Sequence, residues 1–524
     1  MNFLRTVCKS IRGGQRNVST TYPGWVNRKK LLFKAEKSTE ETMAEFLETY
    51  TQPEATQWRM LRAQMVTSTR RLTPANVDAT ILGFCISTKK LQAAKCFVKF
   101  LEEDPEIPGA NCATLTRLMR VYHAVACERA LSAEEEDEIV ALFEKLKSKF
   151  PVFDVNTAEG VIAGLSITSR WRECLELLQN NSFMCTPTIA AYTYTISAAF
   201  RNGEKDIALR VIAKSLRDSR IPRCSALTAW IDFCSRVDGE SIEEFLQFLS
   251  FNDLQISTEV IEKIEAHLDG KGIPSWRSSI DDNGVCSICH THLKPVQVSD
   301  EEFRRLQEGF LKDVLIRDDV FLKSNPKEVA AFQKFLSQHQ PFDCIVDGLN
   351  VALSKGTGRS TEIQARNLIN VVRHFSRKGQ KVLVLGREHM SRWPKEQLNV
   401  LKGQAKVFLT DNLSHDDPFL LFAALSSGKH CCIVSRDLMR THAFLLGSDE
   451  LRNTFRKWQH THQYRLDYSP GTKVIFQTPP TFSVAAHEVN NHWHVPFHSD
   501  YSPHQLDLFE IPQQWLCFSL SGNS

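Results

Sequence analysis

Four aspartates, Asp347, Asp416, Asp417 and Asp437, end or shortly follow short apolar runs in the second half of the chain. Asp347 opens Asp347-Gly348-Leu349-Asn350, Asp416 and Asp417 are adjacent, and Asp437 stands alone after Cys431 to Val434. Crowded together, such carboxylates would repel one another and partly protonate unless cations neutralised them. Hard divalent ions with oxygen ligands, magnesium or manganese, are the natural partners. Two of these ions roughly 4 Å apart activate a water and stabilise the leaving oxygen of an in-line phosphoryl displacement. The chemistry in view is metal-ion hydrolysis of a phosphodiester.

Each aspartate taken singly also has an ordinary structural use. Asp347-Gly348 suits a strand-ending turn, Asp417 before Pro418 an N-cap with proline at the first helical position, and Asp437 the cap of a helix from Leu438 to Leu446. Capping does not call for an adjacent pair plus strand-end aspartates on two other strands, so the set reads as a site.

The elements that must position these residues are legible in the spacing. Phe342 to Val346, Lys381 to Leu385, Ala405 to Leu409 and Cys431 to Val434 are short, rich in β-branched residues and separated by helix-length segments. They predict parallel strands, whose right-handed crossovers put the carboxyl ends on one edge, where open α/β sheets bind ligands. Thr472 to Phe476 predicts a further strand. Ser299 to about Arg317 and Pro326 to Gln338 predict helices leading into the sheet.

Asp-Gly-Leu-Asn, Asp-Asp followed by Pro-Phe, and Ser435-Arg436-Asp437-Leu438-Met439-Arg440 resemble the NYN/PIN-like metallonuclease domain of protein-only ribonuclease P. Residues from about 75 to 520 are similar to the animal mitochondrial catalytic subunits of that family. The resemblance implies an endoribonuclease that removes 5′ leaders from precursor tRNA, leaving a 5′-phosphate on the tRNA and a 3′-hydroxyl on the leader. It implies that Asp347, Asp416, Asp417 and Asp437 hold two magnesium or manganese ions, with Asp347 orienting the attacking water. Asn350, Arg440 and His442 are lesser candidates for substrate or supporting contacts. One departure stands out: the family has Asp-His after Met-Arg, whereas this chain has Thr441-His442, so a fifth carboxylate is missing. Two other readings are an endonuclease of the same fold acting on messenger or other structured RNA, and a non-catalytic pentatricopeptide RNA-binding factor.

Cys286-Ser287-Ile288-Cys289 has the spacing that lets two thiolates bind one zinc ion. Alone it is half a site. The tail offers Trp493-His494-Val495-Pro496 and Trp515-Leu516-Cys517, with His498 and His504 as rival ligands. In the resembled family a Cys pair before the nuclease domain and a His and a Cys after it match Cys286, Cys289, His494 and Cys517. A closed four-ligand shell implies structural zinc clamping the two ends of the nuclease domain.

Between about 75 and 260 the pattern changes to helix pairs. Val161 to Leu165 lies over Thr195 to Ala199 at an offset of 34, and Cys174, Leu175 and Leu178 then align with Ala208, Leu209 and Ile212. A further step of 34 takes Ile196 to Trp230 and Ile212 to Leu246. That period marks an α-helical solenoid of the tetratricopeptide or pentatricopeptide kind. Ile81 to Phe84 with Ala93 to Phe97 reads as an earlier copy, and the acidic stretch Ser132 to Glu138 as a solvated helix start. The period alone fits a protein-binding as well as an RNA-binding solenoid; a nuclease on the same chain and the pentatricopeptide repeats of the resembled family favour RNA, recognised by the shape of the folded tRNA through phosphate contacts and stacking.

Composition sets limits. A net charge of +3 and a pI of 8.1 fall below the basicity of many stand-alone nucleic-acid binders, usually above about 9. Help in holding the substrate is therefore expected, and the family resemblance implies a tRNA methyltransferase and a short-chain dehydrogenase as partners. The 15 cysteines sit mostly singly in apolar segments, such as Cys96, Cys174 and Cys234, and read as buried thiols of a reducing compartment. No run approaches the ~18 apolar residues that span a bilayer, so no membrane insertion is expected. Residues 1–35 carry eight Lys or Arg, several Ser and Thr and no acid, the composition of a mitochondrial transit peptide and hence an address in the matrix.

The organisation expected is a multidomain chain. Residues 1–35 form the transit peptide, 36–74 an N-terminal extension, 75–265 the pentatricopeptide-like solenoid and 301–484 the α/β PIN-like (NYN) nuclease with a parallel sheet. Residues 266–300 and 485–524 form a small zinc-binding central lobe, its tail from Pro479 more loop than packed sheet.

Overall fold

The computed structural model describes residues 38–50, 52–68, 71–107, 109–150, 152–182, 186–218, 220–237, 241–252, 254–310, 326–354, 360–411, 417–437, 439, 446–468, 474–498 and 512–520 of the 524-residue chain. They fall into two compact units, within 1–110 and 111–524. The expected transit peptide lies outside the described residues. Among those residues no helix is long and apolar enough to cross a membrane.

Among the described residues the first unit has four helices, α1 (Thr39–Thr49), α2 (Ala55–Ser68), α3 (Val77–Thr88) and α4 (Leu91–Glu103). Ser38 starts α1 through a capping box with Glu41. Fully buried Trp58 anchors the core, its ring 5.0 Å from Phe46 and 4.9 Å from Phe97. An ion pair between Arg59 and Asp104, 2.5 Å long, joins α2 to the end of α4.

The second unit begins with α5 (Cys112–Ala126), α6 (Ala133–Lys149), α7 (Val155–Leu165), α8 (Glu173–Ser182), α9 (Ile189–Arg201), α10 (Lys205–Arg217), α11 (Cys224–Arg236), α12 (Glu243–Phe251) and α13 (Thr258–Gly270). The first helices of successive pairs start at Val155, Ile189, Cys224 and Thr258, which keeps the repeat of 34 to 35 residues. Positions aligned by that repeat are buried: Ile162, Ile196 and Trp230 in one row, Leu178, Ile212 and Leu246 in the other. Ser132 caps α6 with Glu135, and the acids of its first turn suit the positive end of the helix dipole.

A five-stranded sheet follows, built from β1 (Ile256–Ser257), β2 (Ser275–Ser278) and three strands of the tail. The nuclease sheet has six strands: β3 (Cys344–Asp347), β4 (Val382–Arg387), β5 (Lys406–Thr410), β6 (Cys432–Val434), β7 (Gln463–Tyr468) and β8 (Val474–Gln477), in the order β5-β4-β3-β6-β7-β8. All pairings are parallel except β7 with β8. Both faces are covered, which is why its central strands read as unbroken apolar runs. Ile345, Leu383 and Ile433 pack with Phe303, Phe332, Phe419 and Trp458, while Cys344, Val346 and Val384 pack with Leu368, Val372 and Phe375.

The tail corrects one expectation. Instead of loops it supplies β9 (His487–Val489), β10 (His492–His498) and β11 (Gln514–Phe518), ordered β1-β10-β11-β2 with β9 also on β10. Trp493, Val495, Phe497, Trp515, Leu516 and Phe518 are all buried, and this apolar content outweighs the histidines and the proline that suggested a loop.

Candidate active site

Asp347 ends the central strand β3, and Ser435, Arg436 and Asp437 follow the neighbouring strand β6, paired with β3 as far as Val346 and Val434. Both aspartates therefore stand at the carboxyl edge of the parallel sheet. Asp347 is buried and held twice: its Oδ1 accepts from the Asn350 N–H at 3.0 Å and its Oδ2 from the Ser435 hydroxyl at 2.9 Å. It thereby also caps the short helix Gly348–Leu353. Asp437 is exposed, and its Oδ1 accepts from the Met439 N–H at 2.8 Å, a local turn. Met439 has φ of 50°, in the left-handed region, so the helix expected from Leu438 to Leu446 does not run through it. The other residues of that span up to 445 lie outside the described residues.

Asn350 is engaged in holding this edge: its side-chain oxygen accepts from the Arg436 N–H at 3.0 Å. Asp417 begins the helix Asp417–Ser427, which follows strand β5 in the chain. Its side chain, and Asp416, Arg440, Thr441 and His442 altogether, lie outside the described residues. Two residues that were not among the candidates read from the sequence belong to this edge. Ser435 links the Asp347 carboxylate to the backbone N–H of Asp437, and buried Gln463, at the start of β7, donates to the carbonyls of Ser435 and Asp437, each at 2.8 Å. The Ser-Arg-Asp run was a signal for the first; nothing local in the sequence marks the second.

Gly348 leaves no room for a side chain, since a Cβ there would sit 2.6 Å from the Leu385 carbonyl oxygen of β4. Gly348→Ala should destabilise the protein by about 1–3 kcal/mol and displace Asp347, read as a lower melting midpoint and reduced cleavage.

The second cluster is Cys286, Cys289, His494 and Cys517, whose ligand atoms all lie within 4.8 Å of one another. Strand register places His494 directly opposite Cys517 across β10 and β11. Cys286 and Cys289 come from a knuckle in which the His290 N–H donates to the Cys286 carbonyl and His290 takes φ of 57°. His494 Nε2 lies 3.2 Å from the Cys289 sulphur and 3.8 Å from that of Cys517. A tetrahedral zinc with Zn–S near 2.3 Å has ligand edges of about 3.5–3.8 Å; the spread here, from 3.2 Å up to 4.8 Å, brackets those edges, and three sulphurs with one imidazole are the donor set such an ion takes. Burial pushes His494 down to about 4, with His487 and His492 adding to it, which keeps the ring neutral as a ligand must be. Burial would raise the Cys286 thiol, but the N–H groups of Cys289 and Ile288 hold it below its ordinary value. Cys517 is raised by burial and by its two sulphur neighbours, the crowding a cation would relieve. Of the rival ligands, His498 is hydrogen-bonded to Gln255 at 2.7 Å, and His504 lies outside the described residues.

Comparison with known proteins places this arrangement. The family described as protein-only RNase P matches residues 280–517. The mitochondrial ribonuclease P catalytic subunit of Mus musculus is 30% identical over 396 residues, spanning 73% of this chain and 67% of the mouse protein. The chain belongs to the protein-only RNase P family. The rat subunit is 29% identical, with 66% of its length covered, so the chain spans about two thirds of these relatives. The crystal structure of nuclear proteinaceous RNase P 2 from Arabidopsis thaliana shares the fold, with a TM-score of 0.51 at 19% identity over 85% of this chain and 99% of that one. Helical repeats plus an α/β nuclease with a parallel sheet are thus the protein-only RNase P architecture, and its nuclease is a metal-dependent endoribonuclease.

Proposed function

We propose that this chain removes 5′ leaders from mitochondrial precursor tRNAs by hydrolysis at two divalent ions, magnesium or manganese, in the matrix. The observation that carries the reading is the carboxyl edge of a parallel sheet where Ser435 joins Asp347 to the Asp437 loop, in a chain of the protein-only RNase P family. The donor set there is hard carboxylate oxygen, which suits magnesium over a softer ion. Bound divalent ions would polarise the attacking water and neutralise charge building on the phosphate. The work of the chain is to hold their ligands: Asp347 by two hydrogen bonds and Asp437 by its turn, with Asp416 and Asp417 the remaining ligands of the set. Zinc at Cys286, Cys289, His494 and Cys517 is structural, since four protein ligands leave no open position.

The solenoid supplies the substrate platform, recognising folded tRNA by shape. A net charge of +3 leaves the chain less basic than many stand-alone RNA binders, so partners would add to binding, a tRNA methyltransferase and a short-chain dehydrogenase being the pair that the family resemblance implies. The test is a precursor tRNA with a 5′ leader incubated with magnesium and the protein, alone and with both partners, beside Asp416→Asn. Magnesium-dependent cutting at the mature 5′ end that disappears in the variant is expected, strongest with partners present. Cutting of the precursor away from its mature 5′ end, or none under any condition, would replace this reading with one of the alternatives.

A further inference from the structure

Strand β6 ends at Val434, three residues short of Asp437, so the backbone ladder of the sheet does not itself hold the Asp437 loop. The last partner of β6 on that side is β7, where Ile433 pairs with Gln463 and Val434 with Tyr464. From the first residue of β7 the Gln463 side chain takes over where the ladder stops. Its Nε2 donates to the carbonyls of both Ser435 and Asp437 at 2.8 Å, as a backbone N–H would. The Gln463 amide is itself oriented, because its oxygen accepts from Gln459 Nε2 at 2.7 Å on the preceding helix turn. Both glutamines are buried, at 1% and 4% exposure, where an unmade hydrogen bond is costly and an oriented one is held firmly.

Ser435 carries this restraint to Asp347. Fully buried, its hydroxyl donates to Asp347 Oδ2 at 2.9 Å while accepting from the Asp437 N–H at 3.1 Å. One hydroxyl therefore sets the side chain of one carboxylate and the backbone of the other. A carboxylate that must share a cation needs its free lone pairs aimed, and groups behind the ligands are what aim them.

We infer that Gln463 and Ser435 are positioning residues for the metal-binding carboxylates, Gln463 fixing the Asp437 loop and Ser435 coupling that loop to Asp347. The inference rests on the nuclease reading above. Neither side chain needs to touch RNA.

The test is manganese binding to the full chain, followed by electron paramagnetic resonance, for the wild type, Gln463→Glu and Ser435→Ala, with thermal melting and zinc content recorded in parallel. Gln463→Glu keeps the shape but turns an oxygen toward two carbonyls, and Ser435→Ala removes only the hydroxyl. The expected result is a manganese dissociation constant raised about tenfold or more in both variants, zinc content unchanged, and precursor cleavage that recovers toward wild type at excess magnesium. A role confined to stability would lower the melting midpoint and leave the metal dependence where it was, which would overturn the inference. Should one variant fail to fold, the other decides. If the wild type binds manganese and cuts RNA but both variants bind it equally well, only this inference falls; if the wild type binds none, the nuclease reading falls with it.

Discussion

Asp347→Asn should lower precursor cleavage on the order of 10²–10³-fold while the melting midpoint stays within a degree or two of wild type. The expectation rests on how Asp347 is held. As the cap of Gly348–Leu353 it accepts from the Asn350 N–H, and asparagine caps as well as aspartate does. Its other oxygen accepts from the Ser435 hydroxyl. An amide NH₂ in that place can donate to the same hydroxyl oxygen. The substitution thus removes a charge and leaves the hydrogen bonds replaceable, so a loss of rate reports on the charge. Single-turnover cleavage at saturating protein, beside a melting curve, separates the two. A variant that melts normally and cuts at the wild-type rate would remove Asp347 from the metal site.

The largest expected effect on stability comes from the sulphur cluster. Cys289→Ser should reduce zinc from about one ion per chain toward none and lower the melting midpoint by about 5 °C or more. Cys289 is the ligand to choose because it is only half-buried, whereas Cys286 and Cys517 are buried and their loss would mix packing with coordination. The reason for the size lies in what meets there. Strand β10 pairs with β1, next to the end of the solenoid, and β11 pairs with β2, ahead of the nuclease domain. His494 and Cys517 sit on that sheet, and a bound ion would join the Cys286–Cys289 knuckle to it. Releasing the ion leaves a neutral buried imidazole and three crowded thiols with nothing to bind them together. Zinc content by elemental analysis and a melt with and without a chelator provide the check; full zinc with an unchanged midpoint would contradict the account.

Much of this was legible from residue types alone. The nuclease strands announce themselves because a sheet covered on both faces needs apolar residues at every position, and Cys344 to Val346, Val382 to Leu385 and Cys432 to Val434 supply them. The solenoid was legible because each repeat buries the same positions against its neighbours, as Ile196 and Trp230 do. Strand β7 was not, although Tyr464 and Leu466 alternate with polar residues. The helix Asp449–His462 runs directly into it with no glycine or proline to mark the change.

The tail sheet was hidden for a different reason. Pro496 sits within β10 opposite Trp515, and a proline inside a run argues against a strand until its unpaired neighbours are known. The Asp437 region shows the limit of capping rules. An aspartate before Leu-Met-Arg reads as a helix cap, yet its side chain closes a turn onto a left-handed Met439. Gln463 lay beyond reach altogether, since its importance comes from standing beside a loop 26 residues earlier in the chain.

Attack on the phosphodiester by water activated at carboxylate-held divalent ions fixes which ends are made. The most direct measurement is the chemistry of the ends made when this chain cuts a precursor tRNA in magnesium. A 5′-phosphate on the mature tRNA and a 3′-hydroxyl on the leader are expected, with no product when magnesium is removed. A 5′-hydroxyl opposite a 2′,3′-cyclic phosphate, formed without divalent ions, would mean that the RNA's own hydroxyl is the nucleophile and would contradict it.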